Sequence, residues 1–170
     1  MLPAVALACI VSGRGAGAAT VSVAPADTTL PCGSFAVRAV VDAVADLKGF
    51  ELIFSFDASK LRLLGVDPGT VLTRSGSPFS AFLVPDVPPA DTIRYDAAML
   101  VGSSSGPGVL AFFRFQAVAE GVSPVGCVLV DFRDSNNVQT LPDCVGGSVS
   151  ITGPTPARPQ TWGRVKTLYR

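Results

Sequence analysis

A two-residue alternation of apolar and polar side chains runs through this chain in short segments and never gives way to a sustained helical period. In the clearest segment, Phe50, Leu52, Phe54 and Phe56 alternate with Glu51, Ile53, Ser55 and Asp57. Successive side chains of an extended strand point to opposite faces, so such a segment buries one set and presents the other. The same pattern sets Phe35, Val37, Ala39 and Val41 on one side, then Ile93, Tyr95 and Ala97, then Val128, Val130 and Phe132. Residues 108–118 form a longer strand with Phe113 and Phe115 together. Shorter strands are expected at 20–23, 61–66, 71–73, 79–84 and 148–152, and residues 57–60 have room for a single turn. Gly, Pro, Asp and Asn clusters separate the segments, as turns require. About nine short strands with frequent turns predict an all-β fold, an antiparallel β-sandwich.

Composition narrows the chemistry. The 170 residues contain no histidine, which removes the commonest general base and the commonest metal ligand together. The 13 Lys and Arg balance 13 Asp and Glu, so there is no basic surplus for nucleic acid. That balance is regional: residues 20–152 carry eight bases against 13 acids, a net charge of −5, whereas Arg158, Arg164, Lys166 and Arg170 follow with no acid. Carboxylate pairs for glycoside hydrolysis are available from Glu51, Glu120 and the aspartates, but no motif selects one. The oxygen-rich turn Asp131, Asp134, Asn136, Asn137 lacks the spacing of an EF-hand. We expect no enzyme, no catalytic residue, no metal and no cofactor.

Both ends differ from the body. Residues 1–19 read as an export signal: an apolar run from Leu2 to Gly13, too short to span a bilayer, precedes Ala16-Gly17-Ala18, although no base follows Met1. Residues 20–152 form the expected domain, and 153–160 are a proline-rich linker. In the tail, 161–170, Trp162, Val165 and Tyr169 fall at i, i+3 and i+7, a spacing that lines them on one face of a helix. Its bases suit an acidic or membrane surface, so membrane contact is expected only through the leader or this tail.

Beyond Cys9 in the leader, Cys32, Cys127 and Cys144 allow one disulfide and one leftover thiol. Folding a hairpin about Asp134-Ser135-Asn136-Asn137 sets Cys127 opposite Cys144, the favoured pair; Cys32–Cys127 is the alternative. No CxxC pair points to redox or metal chemistry.

Four segments in order carry a resemblance to a known family. They are Leu47-Lys48-Gly49-Phe50 through Phe56-Asp57 to Leu61, Gly65-Val66-Asp67-Pro68-Gly69-Thr70-Val71-Leu72, Gly108 to Phe115, and Val145-Gly146-Gly147-Ser148-Val149-Ser150-Ile151. Together they resemble the cohesin domain, the β-sandwich by which bacterial scaffoldins capture dockerin modules. The resemblance implies jelly-roll topology, an extracellular setting in polysaccharide-degrading or surface assemblies, and a dockerin-like protein partner bound on one flat sheet face. That sheet would contain the strands at 50–56, 92–98 and 128–133, plus one near 71–84. Alternation then selects its outward residues: Glu51, Ile53 and Ser55; Thr92, Arg94 and Asp96; Leu129, Asp131 and Arg133. Carbohydrate-binding modules share the sandwich, so polysaccharide is the alternative ligand, and a structural cell-surface domain is a third reading. Sugar rings stack on exposed Trp or Tyr, yet the body has no Trp and its one Tyr, Tyr95, alternates inward; Phe112 alone among the strand aromatics is a candidate to face out.

Overall fold

A computed structural model describes residues 19–87 and 91–153, with side chains omitted at 85–87. The leader through residue 18, the linker from 154 and the tail lie outside the described residues. The described residues form two packed sheets. The first has the order β11 (Asp143–Val145), β1 (Thr20–Ala24), β3 (Ser34–Val41), β8 (Gly108–Ala117), β5 (Leu61–Pro68). The second runs β2 (Asp27–Pro31), β12 (Gly147–Thr152), β9 (Gly121–Asp134), β4 (Leu47–Phe56), β7 (Thr92–Met99), β6 (Phe79–Val87), with β10 (Gln139–Thr140) beside β9. The all-β sandwich is the expected one, divided more finely by the short strands β2, β10 and β11. Most pairs are antiparallel; β1 with β11 and β2 with β12 are parallel, where the two ends of the domain meet.

Alternation builds the core as anticipated. Phe50, Leu52, Phe54 and Phe56 are all buried, as are Val37, Ala39 and Val41 opposite them and Phe113 and Phe115 on β8. Phe54 stacks on Phe113 across the sandwich with ring centroids 4.2 Å apart, and Phe56 meets Phe115 at 5.1 Å. Aromatic burial of this kind supplies much of a sandwich's cohesion.

One expected strand is instead a turn of helix. Residues 71–73 belong to α1 (Thr70–Thr73), where the consecutive residues Val71 and Leu72 are both buried. A strand would have turned one of them to solvent. The turn is stitched to β8 by Gly69 N–H donating to Leu110 O (3.0 Å) and Val109 N–H donating to Thr70 Oγ1 (3.0 Å). Gly69 has to be glycine because a β-carbon would overlap the Val109 carbonyl. Gly147 is held likewise, against the Ala26 carbonyl at the β12 entry.

The disulfide joins Cys127 to Cys144, with Cα atoms 5.7 Å apart, and leaves Cys32 free and exposed. The pair is the favoured one, but the hairpin argument for it is not how it forms. β10 pairs with β9 only at Gln139–Arg133 and Thr140–Phe132, after which the chain crosses to β11 beside β1. The bond therefore ties one sheet to the other rather than two neighbours in one sheet.

Asp57 organises the turn after β4. Its carboxylate pairs with Lys60 and accepts from the Ser59 hydroxyl and from Ser59 N–H (2.9 Å), and these partners, Lys60 foremost, hold it down at about 2 from an ordinary 3.8.

Three outcomes follow from this architecture. Gly69→Ala and Gly147→Ala should each lower the melting temperature sharply in thermal denaturation, because backbone must move, whereas Gly33→Ala, whose β-carbon would meet only the Pro31 carbonyl at 3.9 Å, should be tolerated. Replacing Cys127 and Cys144 together by Ser should cost about 3 kcal/mol in denaturant unfolding, the loop-closure value for a separation of 17 residues, and Cys32→Ser should cost nothing measurable. Asp57 has a depressed pKa in the folded state, so its contribution is complete above pH 3.8 and fades as pH falls towards about 2. Asp57→Asn should accordingly flatten the loss of stability across that window, measured by melts at stepped pH.

Candidate functional site

The outer face of β9, β4, β7 and β6 gathers the residues selected by alternation into cross-strand rows. One row runs Phe82, Asp96, Glu51, Asp131; the next runs Val84, Arg94, Ile53, Leu129; a third runs Ser80, Ala98, Gly49, Arg133. Like charges placed directly opposite repel, and Asp96, Glu51 and Asp131 are three carboxylates in line. Arginines from adjacent rows offset them. Arg94 Nε lies 2.8 Å from Asp96 Oδ2 and 3.4 Å from Glu51 Oε1, while Arg133 Nη2 lies 3.0 Å from Asp131 Oδ2. Gln139 Nε2 donates to the same Asp131 oxygen at 2.7 Å, leaving the buried Oδ1 without a hydrogen-bond partner. Hydrogen bonding and charge from Asp96, and then the charge of Glu51, raise the Arg94 pKa above its ordinary value. Both arginine side chains keep about two-fifths of their surface exposed, so the pairs contribute little to stability and remain open to exchange.

Around this charged centre lie exposed apolar side chains: Phe82 (64% exposed), Val128 (50%), Val84 (43%) and Leu129 (40%). Small residues leave a hollow of about 490 Å³ in the face, floored by Gly49 and Ala98 and walled by Phe82, Lys48, Asp131 and Arg133.

The face departs from the sequence expectation in three places. Thr92 shares the face by register but is only 2% exposed, so it offers nothing to a partner; Ser55 beside it is half-buried, its Oγ donating to Gly126 O (3.4 Å). Val128, expected inside with Val130, is outside. A bulge pairs Leu129 with Ile53 and Cys127 with Phe54, making Val128 the extra residue. Such a residue breaks the period of two and turns its side chain out. Phe82 and Val84 were absent from the expected set because the fourth strand was bounded only loosely, as lying near 71–84. Once that strand is β6, their place follows from pairing with Asp96 and Arg94.

Among the described residues there is no tryptophan, and Tyr95 is buried at 3% exposure, its hydroxyl unpartnered and its pKa pushed up to about 12 by burial and secondarily by the charge of Asp67. Phe112 is half-buried on the other sheet, so the exposed aromatic of this face is Phe82. In the 134–138 turn, Asp134 Oδ1 accepts from Asn136 and Val138 N–H, which accounts for that carboxylate as a backbone cap. No cluster of three or more Cys, Asp or Glu residues arranged to hold a metal occurs among the described residues.

The two packed sheets and their strand order define a β-sandwich with the cohesin fold. A non-cellulosomal cohesin from Archaeoglobus fulgidus superposes with a TM-score of 0.63 at 16% identity, covering 79% of this chain and 91% of that one. The sixth cohesin of Acetivibrio cellulolyticus scaffoldin B, solved with a Cel5 dockerin, gives 0.62 at 19% identity over 79% and 99%. A type I cohesin from Clostridium thermocellum, solved in a cohesin–dockerin complex, gives 0.64 at 16% identity over 79% and 99%. No family model matches the chain, and no curated protein matches it by sequence.

Proposed function

We propose that this chain is an exported, non-catalytic recognition module that captures a dockerin-type protein module on the outer face of β9, β4, β7 and β6. One observation carries this reading. The face surrounds a network of three carboxylates and two arginines with exposed apolar side chains and a hollow, the mixture by which protein interfaces pair desolvation with electrostatic complementarity. The contacting residues are Glu51, Ile53, Arg94, Asp96, Leu129, Asp131 and Arg133 from the sequence set, joined by Phe82, Val84 and Val128. Similar folds solved with dockerins support the choice of partner. The disulfide supports the oxidising setting that an exported module meets. Polysaccharide binding is less well supported, since among the described residues this face has no Trp or Tyr platform on which sugar rings stack.

The test is calorimetric titration of the full chain against dockerin modules from the source secretome, beside pull-down on insoluble polysaccharide. Arg94→Glu and Phe82→Ala should each weaken the protein complex at least tenfold, a loss of about 1.4 kcal/mol or more, with the melting temperature barely changed. Arg114→Glu on the other sheet should leave affinity intact. Retention on polysaccharide with no protein partner would overturn the proposal, as would a complex sensitive to Arg114 and indifferent to Arg94.

A further inference from the structure

A second apolar depression lies at the open side of the sandwich, between the edge strands β5 and β6 and away from the charged face. It measures about 530 Å³ and is lined by Phe56, Leu61, Leu63, Leu64, Leu83 and Val118, among others; of its lining residues only Arg62 is charged. Leu64, Val118 and Leu83 stand 45%, 50% and 39% exposed at its rim. Leu64 is the extra residue of a bulge in β5, where Leu63 pairs with Phe115 and Gly65 with Arg114. This sheds a leucine from the ladder towards the groove. Exposed leucines and a valine around an apolar hollow leave a dry surface in water, which is costly unless something covers it.

The chain itself carries a segment suited to cover it. Gly153, the last described residue, lies hard against the Glu120 carboxylate, in the turn that begins at Val118 on the groove rim. Val118 N–H in turn donates to Lys60 O beside Leu61, so the exit point and the groove belong to one end of the fold. From Gly153, residues 154–160 span about 20 Å if extended in the polyproline manner, enough to carry 161–170 along one end of a small sandwich. That last segment holds Trp162, Val165, Leu168 and Tyr169, apolar side chains of a size to fill the hollow between those leucines. It also holds Arg164, Lys166 and Arg170 with no acid, opposite a body of net charge −5 that places Glu120 at the exit.

We infer that residues 161–170 dock back on their own domain, seating the Trp162 side of the segment in the groove between β5 and β6 with its cations towards Glu120. The occupant is this chain's own C-terminal segment, bound within one molecule. The linker keeps it at high local concentration, so modest contact area suffices.

Trp162 is the only tryptophan in the chain, so its fluorescence reads this segment alone. In the full chain its emission should be blue-shifted and its acrylamide quenching several-fold lower than in a synthetic 154–170 peptide. Leu64→Asp and Val118→Asp, both at exposed positions and each checked by circular dichroism, should return it to the peptide's values. Adding the peptide to a chain ending at Gly153 should restore the shift at high peptide concentration. Tryptophan as freely quenched as in the peptide would overturn the inference. So would protection that survives both groove variants, or protection that appears only as sedimentation shows a dimer, which would make a second copy the occupant. None of these readouts involves a dockerin, so their failure is distinct from failure of the proposed partner.

Discussion

The contact between Phe54 and Phe113 is the constraint on which the sandwich turns. These rings come from β4 and β8, each interior to its own sheet, and stacking them fixes which side of both strands faces inward. Because side chains alternate, that choice propagates: burying Phe54 buries Phe50, Leu52 and Phe56, and commits Glu51, Ile53 and Ser55 to the outer side. A slip of one residue in β4 would reverse every one of these. The outer face of this sheet is thus the obligatory reverse side of the core.

That face is organised by a conflict and its resolution. Cross-strand pairing lines up Asp96, Glu51 and Asp131, and Arg94 and Arg133, two positions away on their own strands, reach back to offset them. Exposed ion pairs of this type contribute little to folding, and the arginines that make them stay open to exchange with other partners. The hollow above Gly49 and Ala98 has the same origin in the ladder, since Gly49 and Ala98 are register partners and neither carries a side chain large enough to fill the space.

Much of the cysteine and charge arrangement follows from where the ends of the domain lie. β11 joins β1 and β12 joins β2 in parallel, so the final strands close both sheets beside the first ones. The chain leaves at Gly153 next to Glu120, and the crossing from β10 to β11 brings Cys144 to Cys127 between sheets. Hairpin arithmetic named the right pair because the turn at 134–137 does fold the chain back, but it assumed one continuous ladder where the chain changes sheet.

The all-β sandwich, its buried set and most of the outward set are legible in the chain alone, because a period of two is a local property that survives into the fold. Alternation therefore read Phe54, Tyr95 and Phe113 as inward and Glu51, Arg94 and Asp131 as outward without any knowledge of neighbours. Where that period breaks is set by packing between distant strands. The bulge that exposes Val128 and the helical turn that buries Val71 and Leu72 together each depend on a strand distant in sequence. The exposure of Phe82 was hidden for the same reason: an edge strand has one neighbour, and which face of it meets water is settled by pairing with β7.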